Sequence, residues 1–334
     1  MFAGKKILIT GGTGSLGQAL TKKLLEKDVK TVRIVSRNES KQLEMEHSIN
    51  DSRLRFFLGD IRDSDRLVRA TEDIDIVFHA AALKDVPKIE YNPFEAIKTN
   101  IIGSQNVIDA CLINNVEKAI GIGTDKAVSP LNTYGATKLL MEKLFVTANN
   151  YLDPNKHPTK FIAARYGNVV GSSGSVIPRF INQLKNKSKI TLTDPQMTRF
   201  SITMEEALDF ILKAAEIGNG SEIFIPKLKA YSIVEIKQAL TDILGDYGEE
   251  IIGIRPGEKL HETLINKEEM RYAWEYKDLY MLTPPFYPMF HRNVIHETYP
   301  GIKEITNMKE YSSDQVEKLP LNELKDSITN SNLL

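Results

Sequence analysis

The chain has 334 residues, of which 42% are hydrophobic and 26% are charged, a composition typical of an ordinary globular protein. This length suits one large α/β domain with an appended lobe, or two smaller domains. The 43 basic and 44 acidic side chains give a formal net charge of −1. That balance excludes a global field that would favour nucleic acid or an anionic membrane.

Cysteine content and apolar runs indicate the compartment. Cys111 is the single cysteine, which rules out an internal disulfide and fits a reducing environment. No apolar run approaches the ~18 residues that span a bilayer, and the N-terminus shows no cleavable signal pattern. We therefore expect a cytoplasmic protein without a membrane partner, in which Cys111 is buried.

The first half of the chain alternates short apolar runs with helical patterns. Runs rich in Ile, Val and Phe predict strands at Lys6–Thr10, Thr31–Ser36, Leu54–Leu58, Ile74–His79 and Lys118–Gly123. Helices are predicted at Leu16–Lys27, Lys41–Asn50, Arg62–Thr71, Phe94–Asn114 and Tyr134–Asn150. This alternation predicts an α/β fold with a Rossmann-type, doubly wound parallel sheet, and ligands bind where the carboxyl ends of its strands meet.

The second half of the chain has a less regular pattern. Three more elements are expected to join the main sheet, at Lys160–Arg165, Met204–Ile217 and Glu222–Ile225. We therefore predict a Rossmann domain of residues 1–166, to which 200–225 returns. The remaining residues, 167–199 and 226–334, are expected to form a smaller α/β substrate lobe and a C-terminal tail.

A glycine-rich turn, TGGTGSLG, follows the first predicted strand and opens the first helix. Its glycines permit a tight turn, close approach of the backbone to a pyrophosphate, and close packing of helix on strand. The start of the helix offers unpaired N–H groups to phosphates. We therefore predict dinucleotide-binding residues here: Gly11, Thr13, Gly14, Ser15, Leu16 and Gly17.

The end of the second strand indicates which dinucleotide is bound. An NAD site usually has an acidic residue there for the ribose 2′-hydroxyl, but this chain has Ser36-Arg37-Asn38. Arg37 and Lys41 favour the 2′-phosphate of NADP. Glu39 leaves NAD open, and a solvated arginine at a strand end is the alternative for Arg37.

The third and fourth strand ends complete the predicted cofactor site. Asp60, with Ile61 beside it, follows the third strand and is expected to accept from the adenine amino group. Ala80, Ala81 and Ala82 follow the fourth strand, where small side chains let the backbone approach the cofactor.

The fifth strand leads into the residues expected to do chemistry. Thr124-Asp125-Lys126 comes first, and Tyr134 and Lys138 follow at positions i and i+4, on one face of a helix. A cation beside the phenol is expected to lower the pKa of Tyr134, which suits hydride chemistry. Asp125, if held protonated, and Lys126, if its pKa is depressed, add an acid and a base. The structural alternatives are a surface ion pair and an ordinary amphipathic helix.

These motifs together resemble those of the extended short-chain dehydrogenase/reductase superfamily. Within it the chain is similar to the inverting UDP-N-acetylglucosamine 4,6-dehydratases that open pseudaminic acid biosynthesis. The segments that carry the resemblance lie between residues 10 and 262: TGGTGSLG, SRNESKQ, HAAALKDVP, KTNIIGSQNVI, TDKA, NTYGATK, RYGNVVGSSGSVIP, TDPQMTRF and IRPGEKLHE. A branch of that family that acts in capsule or O-antigen synthesis can lack the tyrosine, so Tyr134 favours the pseudaminic acid branch.

The resemblance implies a lyase reaction in which NADP takes a hydride and returns it. Tyr134 would take the proton of the C4 hydroxyl while Thr124 holds its oxygen. Lys126 would remove the C5 proton, and Asp125 would protonate the departing C6 hydroxyl. The implied product is a 4-keto-6-deoxy sugar inverted at C5, and this stereochemistry follows from the resemblance alone.

The resemblance also implies substrate contacts and an assembly. The residues implied around a UDP-sugar are Lys84, Asn168, Arg199, Arg255 and Glu258, of which Lys84 is also expected near the cofactor. Arg199 and Arg255 suit a pyrophosphate, and each equally suits a structural salt bridge. Relatives form a helical dimer interface at the predicted helices Phe94–Asn114 and Tyr134–Asn150, and family members can assemble further into hexamers, so a homo-oligomer is expected. No metal site is expected.

Two other classes of function fit part of the pattern. A nucleotide-sugar 4-epimerase or reductase would use Thr124, Tyr134 and Lys138 but leave Asp125 and Lys126 without a role. A non-catalytic NADP-binding protein would not need the tyrosine and lysine of the helix. Residues 266–334 carry no motif that indicates chemistry.

Overall fold

The fold is built around one large sheet. It is seen in a computed structural model, which describes residues 1–151, 153, 156–171, 175–283 and 295–330. The strands are β1 (Lys6–Thr10), β2 (Thr31–Ser36), β3 (Leu54–Leu58), β4 (Ile76–His79), β5 (Lys118–Ile122), β6 (Lys160–Ala164), β7 (Ile190–Leu192), β8 (Thr198–Phe200), β9 (Ile223–Pro226), β10 (Ala230–Ser232), β11 (Glu249–Ile251), β12 (Thr263–Ile265), β13 (Ala273–Tyr276), β14 (Leu279–Leu282), β15 (Lys303–Glu304) and β16 (Tyr311–Ser312).

Helices cover both faces of this sheet and form part of a smaller lobe. They include α1 (Ser15–Leu25), α2 (Glu39–Ile49), α3 (Ser64–Thr71), α4 (Val86–Tyr91), α5 (Pro93–Ala96), α6 (Gly103–Ile113), α7 (Thr133–Ala148), α8 (Val176–Lys185), α9 (Met204–Ile217), α10 (Ile233–Leu244) and α11 (Leu321–Asn330). Two further hydrogen-bonded segments matter for the site: a π-helical stretch at Ile97–Ile102 and a 3₁₀ turn at Asp125–Ala127.

The order of the strands shows a doubly wound sheet. The large sheet has ten strands in the order β15-β13-β14-β9-β6-β5-β4-β1-β2-β3, and the seven from β9 to β3 run parallel. β1 lies between β2 and β4, so the chain turns in opposite directions on its two sides. Such a reversal opens a crevice at the carboxyl ends of the strands. The predicted Rossmann-type fold is confirmed.

The C-terminal part of the chain differs from the predicted division. β14 pairs antiparallel with β9, β13 with β14, and β15 with β13. These strands therefore extend the large sheet, and the assignment of all of residues 226–334 to a separate lobe is wrong for them. The reason is that the outer edge of β9 has backbone groups that need partners, and β14 supplies them while burying Met281 against the main core.

A smaller lobe nevertheless has a core of its own. Apolar side chains of α8, α10 and α11 pack together with those of β7 and β10, as shown by buried Phe180, Leu240 and Ile328. Short two-stranded sheets join β7 to β11 and β8 to β10. This cluster lies apart from the apolar clusters of the main sheet, as expected for a lobe that folds around separate side chains.

The helix predicted at Phe94–Asn114 is divided in three. α5 and α6 are separated by the π-helical stretch, which apolar periodicity does not reveal. Within it, Asn100 accepts from the Leu83 backbone N–H (2.8 Å) and donates to the Leu83 carbonyl and to Thr137 on α7. The irregular turn therefore fixes the loop that follows β4 against α7.

A fully buried arginine joins three parts of the chain. Arg165, just after β6, donates to Glu142 of α7 (Nη2 to Oε2, 2.7 Å) and to Glu269 (Nη2 to Oε1, 2.9 Å). It also donates to the Leu264 carbonyl of β12 at 2.9 Å. Since buried charges persist only when paired and hydrogen-bonded, each of these partners must stay in place.

We expect Arg165→Met to destabilise the protein strongly. It leaves Glu142 and Glu269 buried without their cation, which typically costs about 3–5 kcal/mol. The free energy of unfolding from urea titration checks this. Arg53→Met, which removes a partly exposed arginine paired with Asp51, is the matched control and should change the free energy much less. Equal effects of the two variants would contradict the prediction.

Candidate active site

The turn after β1 is shaped for a phosphate group. Gly11 has a positive φ of 68°, and a Cβ there would lie 2.8 Å from the Ala81 backbone after β4. Gly14 is the N-cap residue of α1, and no side chain caps that helix. The N–H groups of its first turn therefore remain available for an anion. The geometry of the predicted glycine turn fits the pyrophosphate of a dinucleotide.

The ends of β2 and β3 place charged groups beside this turn. Asp60 accepts from Arg62 at Nε (3.0 Å) and Nη2 (2.6 Å), and Arg37 Nη1 lies 3.8 Å away. Burial alone would raise the pKa of Asp60, but the bonds from Arg62 hold it below its usual range. Asn38 caps α2 by accepting from the Lys41 N–H. The sequence analysis did not identify Arg62, although it lies two residues after Asp60.

The Thr124-Asp125-Lys126 turn lies directly after β5. The Asp125 N–H donates to the Tyr166 carbonyl at 3.0 Å, so the turn is anchored to the segment after β6. Asp125 is fully buried and its Oδ1 accepts from Thr124 (2.9 Å) and from Lys126 Nζ (3.1 Å). Lys126 Nζ also donates to Asn168 Oδ1 at 3.0 Å. The predicted acid, amine and substrate-binding asparagine therefore lie together.

The helix α7 brings the predicted tyrosine and lysine to this turn. Asn132 caps the helix by accepting from the Gly135 N–H at 2.8 Å. Tyr134 lies in its first turn, near Thr124, whose side chain acts to lower the pKa of the phenol. Lys138 is buried and donates to the Ile122 carbonyl at 2.5 Å. Thr124 thus connects the tyrosine to the acid and the amine.

The charge state of Tyr134 differs from the expected one. Burial raises the pKa of Tyr134, and although Lys126 acts in the opposite direction the net pKa is above its ordinary value. The expectation that Lys138 lowers it is therefore wrong for the protein alone. The ammonium of Lys138 is directed to a backbone carbonyl, and burial lowers the pKa of Lys138 to about 8.

The expected depression of the Lys126 pKa is also wrong. Burial alone would lower it, but Asp125 and then Glu262 act in the opposite direction and outweigh burial, so the pKa of Lys126 is raised. Glu262 Oε1 lies 3.6 Å from Lys126 Nζ. Lys126 is therefore an ammonium ion in the protein alone, because its nearest charges are carboxylates.

Arg199 is held by the protein itself. Its Nη1 donates to the carbonyls of Thr198 (2.7 Å) and Leu260 (3.1 Å), and its Nη2 donates to that of Lys259 (3.0 Å). Its Nε lies 3.7 Å from Glu262 Oε1. These contacts support the structural alternative for this arginine, which ties β8 to the segment before β12.

Arg255 and Glu258 pair with each other, with Nη1 3.6 Å from Oε1, and both are partly exposed. Their turn packs on the start of α7, where Asn132 Nδ2 donates to the Gly257 carbonyl at 2.8 Å. Lys84 is exposed in the loop after β4. Substrate contacts of these three side chains stay predictions.

Glu262 is a second residue of the site, besides Arg62, that the motifs did not predict. It is 3% exposed, and its side chain joins the cluster of Lys126 and Arg199. The available signal was its position as the last residue of IRPGEKLHE, a segment recognised as a motif whose final acid was given no role.

The chain matches the model of the polysaccharide biosynthesis protein family over residues 7–284. It belongs to that family. A UDP-N-acetylglucosamine 4,6-dehydratase (inverting) from Campylobacter jejuni is 51% identical over 85% of this chain and 84% of its own length. A UDP-glucose 4-epimerase from Rickettsia bellii is 42% identical over 99% of this chain and 97% of its own. The resemblance that the motifs of this chain predicted is therefore confirmed.

Solved structures place the chain among extended short-chain dehydrogenases/reductases. The structure of Pen from Bacillus thuringiensis has a TM-score of 0.90 and 38% identity, with all of both chains covered. A UDP-glucuronic acid 4-epimerase from Bacillus cereus was solved with UDP-glucuronic acid and NAD. It has a TM-score of 0.68 and 25% identity, with 76% of the present chain and 88% of the epimerase chain covered. In the part of the present chain that the structure describes, the helices are too short or too polar to cross a bilayer.

Gly135→Ala should disrupt the site. A Cβ at this position would lie 2.1 Å from the Lys126 carbonyl oxygen, so α7 and the Thr124-Asp125-Lys126 turn must separate. Overpacking of this kind typically costs about 1–3 kcal/mol, and turnover should fall because Lys126 moves. Ala136→Gly on the exposed face of α7 is the control, expected to cost about 1 kcal/mol without loss of turnover. Urea unfolding and turnover are measured on both, and normal turnover in Gly135→Ala would contradict the prediction.

The buried Lys138 should make stability depend on pH. Its pKa falls from 10.5 to about 8 on folding, so the folded state binds fewer protons than the unfolded state between these values. The free energy of unfolding relative to Lys138→Met should therefore rise as pH increases from about 8 to about 10.5. Urea titrations of both proteins across this range measure it. A constant difference between them would exclude the assigned shift.

Proposed function

We propose that the protein is an inverting UDP-N-acetylglucosamine 4,6-dehydratase that uses NADP. Its product would be UDP-2-acetamido-2,6-dideoxy-β-L-arabino-hexos-4-ulose. The observation that carries this proposal is the pairing of the buried Asp125 with the partly exposed Lys126, beside Tyr134. Oxidation and reduction at one carbon of the sugar need only Tyr134, Thr124 and Lys138. An additional acid and amine supply the further proton transfers that loss of water requires.

The proposed cofactor site uses the residues at the strand ends. The turn from Gly11 to Gly17 would hold the pyrophosphate, and the exposed Arg37 and Lys41 would bind the 2′-phosphate that distinguishes NADP from NAD. Asp60, already bonded to Arg62, would lie at the adenine end. When bound, oxidised NADP supplies the hydride acceptor, and its positive charge favours the tyrosine phenolate.

The first proton transfer involves Tyr134. Its raised pKa keeps it a phenol in the protein alone, so it needs the additional positive charge of the complete site to act as a base. Thr124, which lies near Tyr134, is placed to hold the C4 oxygen of the sugar. Removal of the C4 hydroxyl proton accompanies oxidation to a ketone, which makes the neighbouring C5 proton acidic.

The next two proton transfers, at C5 and at the C6 hydroxyl, depend on a proton that Lys126 and Asp125 share. Lys126 begins as an ammonium 3.1 Å from Asp125 Oδ1. Transfer of a proton between them produces a neutral amine and a carboxylic acid with no change in total charge. The amine then removes the C5 proton, and the acid protonates the leaving C6 hydroxyl. Asp125 and Lys126 can thus acquire the states that elimination needs by exchanging a proton within the pair.

The family resemblance supports pseudaminic acid biosynthesis as the pathway and a homo-oligomer as the working assembly. Nucleotide sugars and NADP are metabolites of the cytoplasm, where we place the reaction. A specific observation favours a second candidate, a UDP-sugar 4-epimerase: the Rickettsia bellii relative matches nearly the whole chain. Such an enzyme would invert C4 and release no water, which leaves Asp125 and Lys126 without a role.

Incubation with UDP-N-acetylglucosamine in D₂O separates these functions. The proposed enzyme should give a product lighter by one water, with deuterium at an inverted C5, as shown by mass spectrometry and NMR. Asp125→Asn and Lys126→Ala should each lower turnover by about 10²-fold or more, a typical effect of losing a general acid or base. A new isomer without loss of water would instead establish the epimerase.

A further inference from the structure

Glu262 is a buried carboxylate that no step of the proposed reaction uses. It immediately precedes β12, and its side chain is 4% exposed. Its Oε1 lies 3.6 Å from Lys126 Nζ and 3.7 Å from Arg199 Nε. Its Oε2 is buried and finds no hydrogen-bond partner among the described residues. A carboxylate left half-satisfied in the interior is costly, so a role for its charge is indicated.

The backbone of Glu262 is fixed independently of its side chain. Its N–H donates to Ser313 Oγ at 2.9 Å, and its carbonyl accepts from the Ser313 N–H at 2.8 Å. Ser313 Oγ is also 2.7 Å from Thr198 Oγ1, next to Arg199. The carboxylate is therefore presented to Lys126 by a rigid frame, which would remain if the side chain alone were changed.

Glu262 and Asp125 approach Lys126 from different parts of the fold. Asp125 belongs to the turn after β5, whereas Glu262 belongs to the C-terminal segment that packs over it. That segment is also joined to the turn by Lys259, whose Nζ donates to the Val128 carbonyl. The amine is thus held between two carboxylates, and it donates hydrogen bonds to Asp125 and Asn168.

We propose that Glu262 is a positioning residue for the elimination, which holds the Lys126 amine beside Asp125 and controls its charge. This proposal rests on the proposed dehydratase function. When Lys126 passes its proton to Asp125, one cation and one anion leave the cluster, and the Glu262 carboxylate still faces the Arg199 guanidinium. The Lys126 amine is then uncharged and remains oriented beside Asp125.

The charge of Lys126 depends on every group that faces it. These groups are Asp125, Tyr134, Arg199, Tyr231, Lys259 and Glu262. Asp125 and Glu262 are the acidic groups that raise the pKa of Lys126 most, and Arg199 acts against them. Replacing Glu262 by glutamine removes one of the two opposing anions and leaves the volume nearly unchanged, so the pKa of Lys126 should fall.

The kinetic test compares Glu262→Gln and Glu262→Asp with the unchanged protein. In Glu262→Gln we expect kcat to fall about 10-fold or more, because the amine is no longer held beside Asp125, and KM to change less than about threefold. Glu262→Asp keeps the charge and should recover part of kcat. An unchanged kcat in Glu262→Gln would overturn the proposal, as would loss of substrate binding without recovery in Glu262→Asp.

A second readout does not depend on the substrate. Trace labelling of lysines with acetic anhydride, followed by mass spectrometry of the peptide that contains Lys126, reports the neutral fraction of that amine at each pH. A fall of one unit in its pKa should raise its labelling at pH 9 about tenfold in Glu262→Gln. An unchanged labelling profile would overturn the proposal.

Glu268→Gln is the matched control, since Glu268 is an exposed acid of the same segment, paired with Arg271. It should leave turnover and Lys126 labelling unchanged. If the unchanged protein released no water from UDP-N-acetylglucosamine, the dehydratase proposal would fail and with it the role of Glu262 in elimination. If water were released but Glu262→Gln behaved as the control, the role of Glu262 alone would fail.

Discussion

The buried guanidinium of Arg165 holds in place the parts of the chain that build the site. Its two carboxylate partners belong to α7, which carries Tyr134, and to the segment after β12. The chain that leaves Arg165 reaches Asn168, which binds Lys126. A buried cation tolerates little displacement from its anions, so these three segments keep a fixed register. The positions of Tyr134, the Lys126 amine and the Glu262 carboxylate all depend on this register.

A second cluster of charges, around Lys126, determines how reactive the protein is without ligands. Two carboxylates hold the amine as an ammonium, and burial keeps Tyr134 a phenol. Both groups therefore lack the charge state that the proposed reaction needs. Before they can accept a proton, Tyr134 needs the additional positive charge of the complete site, and Lys126 must pass its own proton to Asp125. Such a site avoids unproductive chemistry at the cost of burying charges that stabilise the fold poorly.

The C-terminal part of the chain has two structural roles that the motifs alone did not separate. β13, β14 and β15 extend the main sheet, while α11 helps to close the small lobe. Between them, Glu262 is presented to Lys126 by Ser313, which precedes the last helix. The lobe predicted to bind substrate therefore also sets the charge beside the proposed base. This arrangement would link the packing of the lobe to the proposed proton transfer.

The sequence by itself determined the parallel sheet, the glycine turn, the family and the grouping of Thr124, Asp125, Lys126 and Tyr134. These follow from local periodicity, turn chemistry and the rule that strand ends meet at one rim. Only the tertiary structure decided the pairing of Arg165 and the place of Glu262, because both join residues about a hundred or more positions apart. It also decided the direction of the pKa shifts at Lys126 and Tyr134. A pKa depends on burial and on charges that approach through space, and neither quantity is contained in the spacing of a motif.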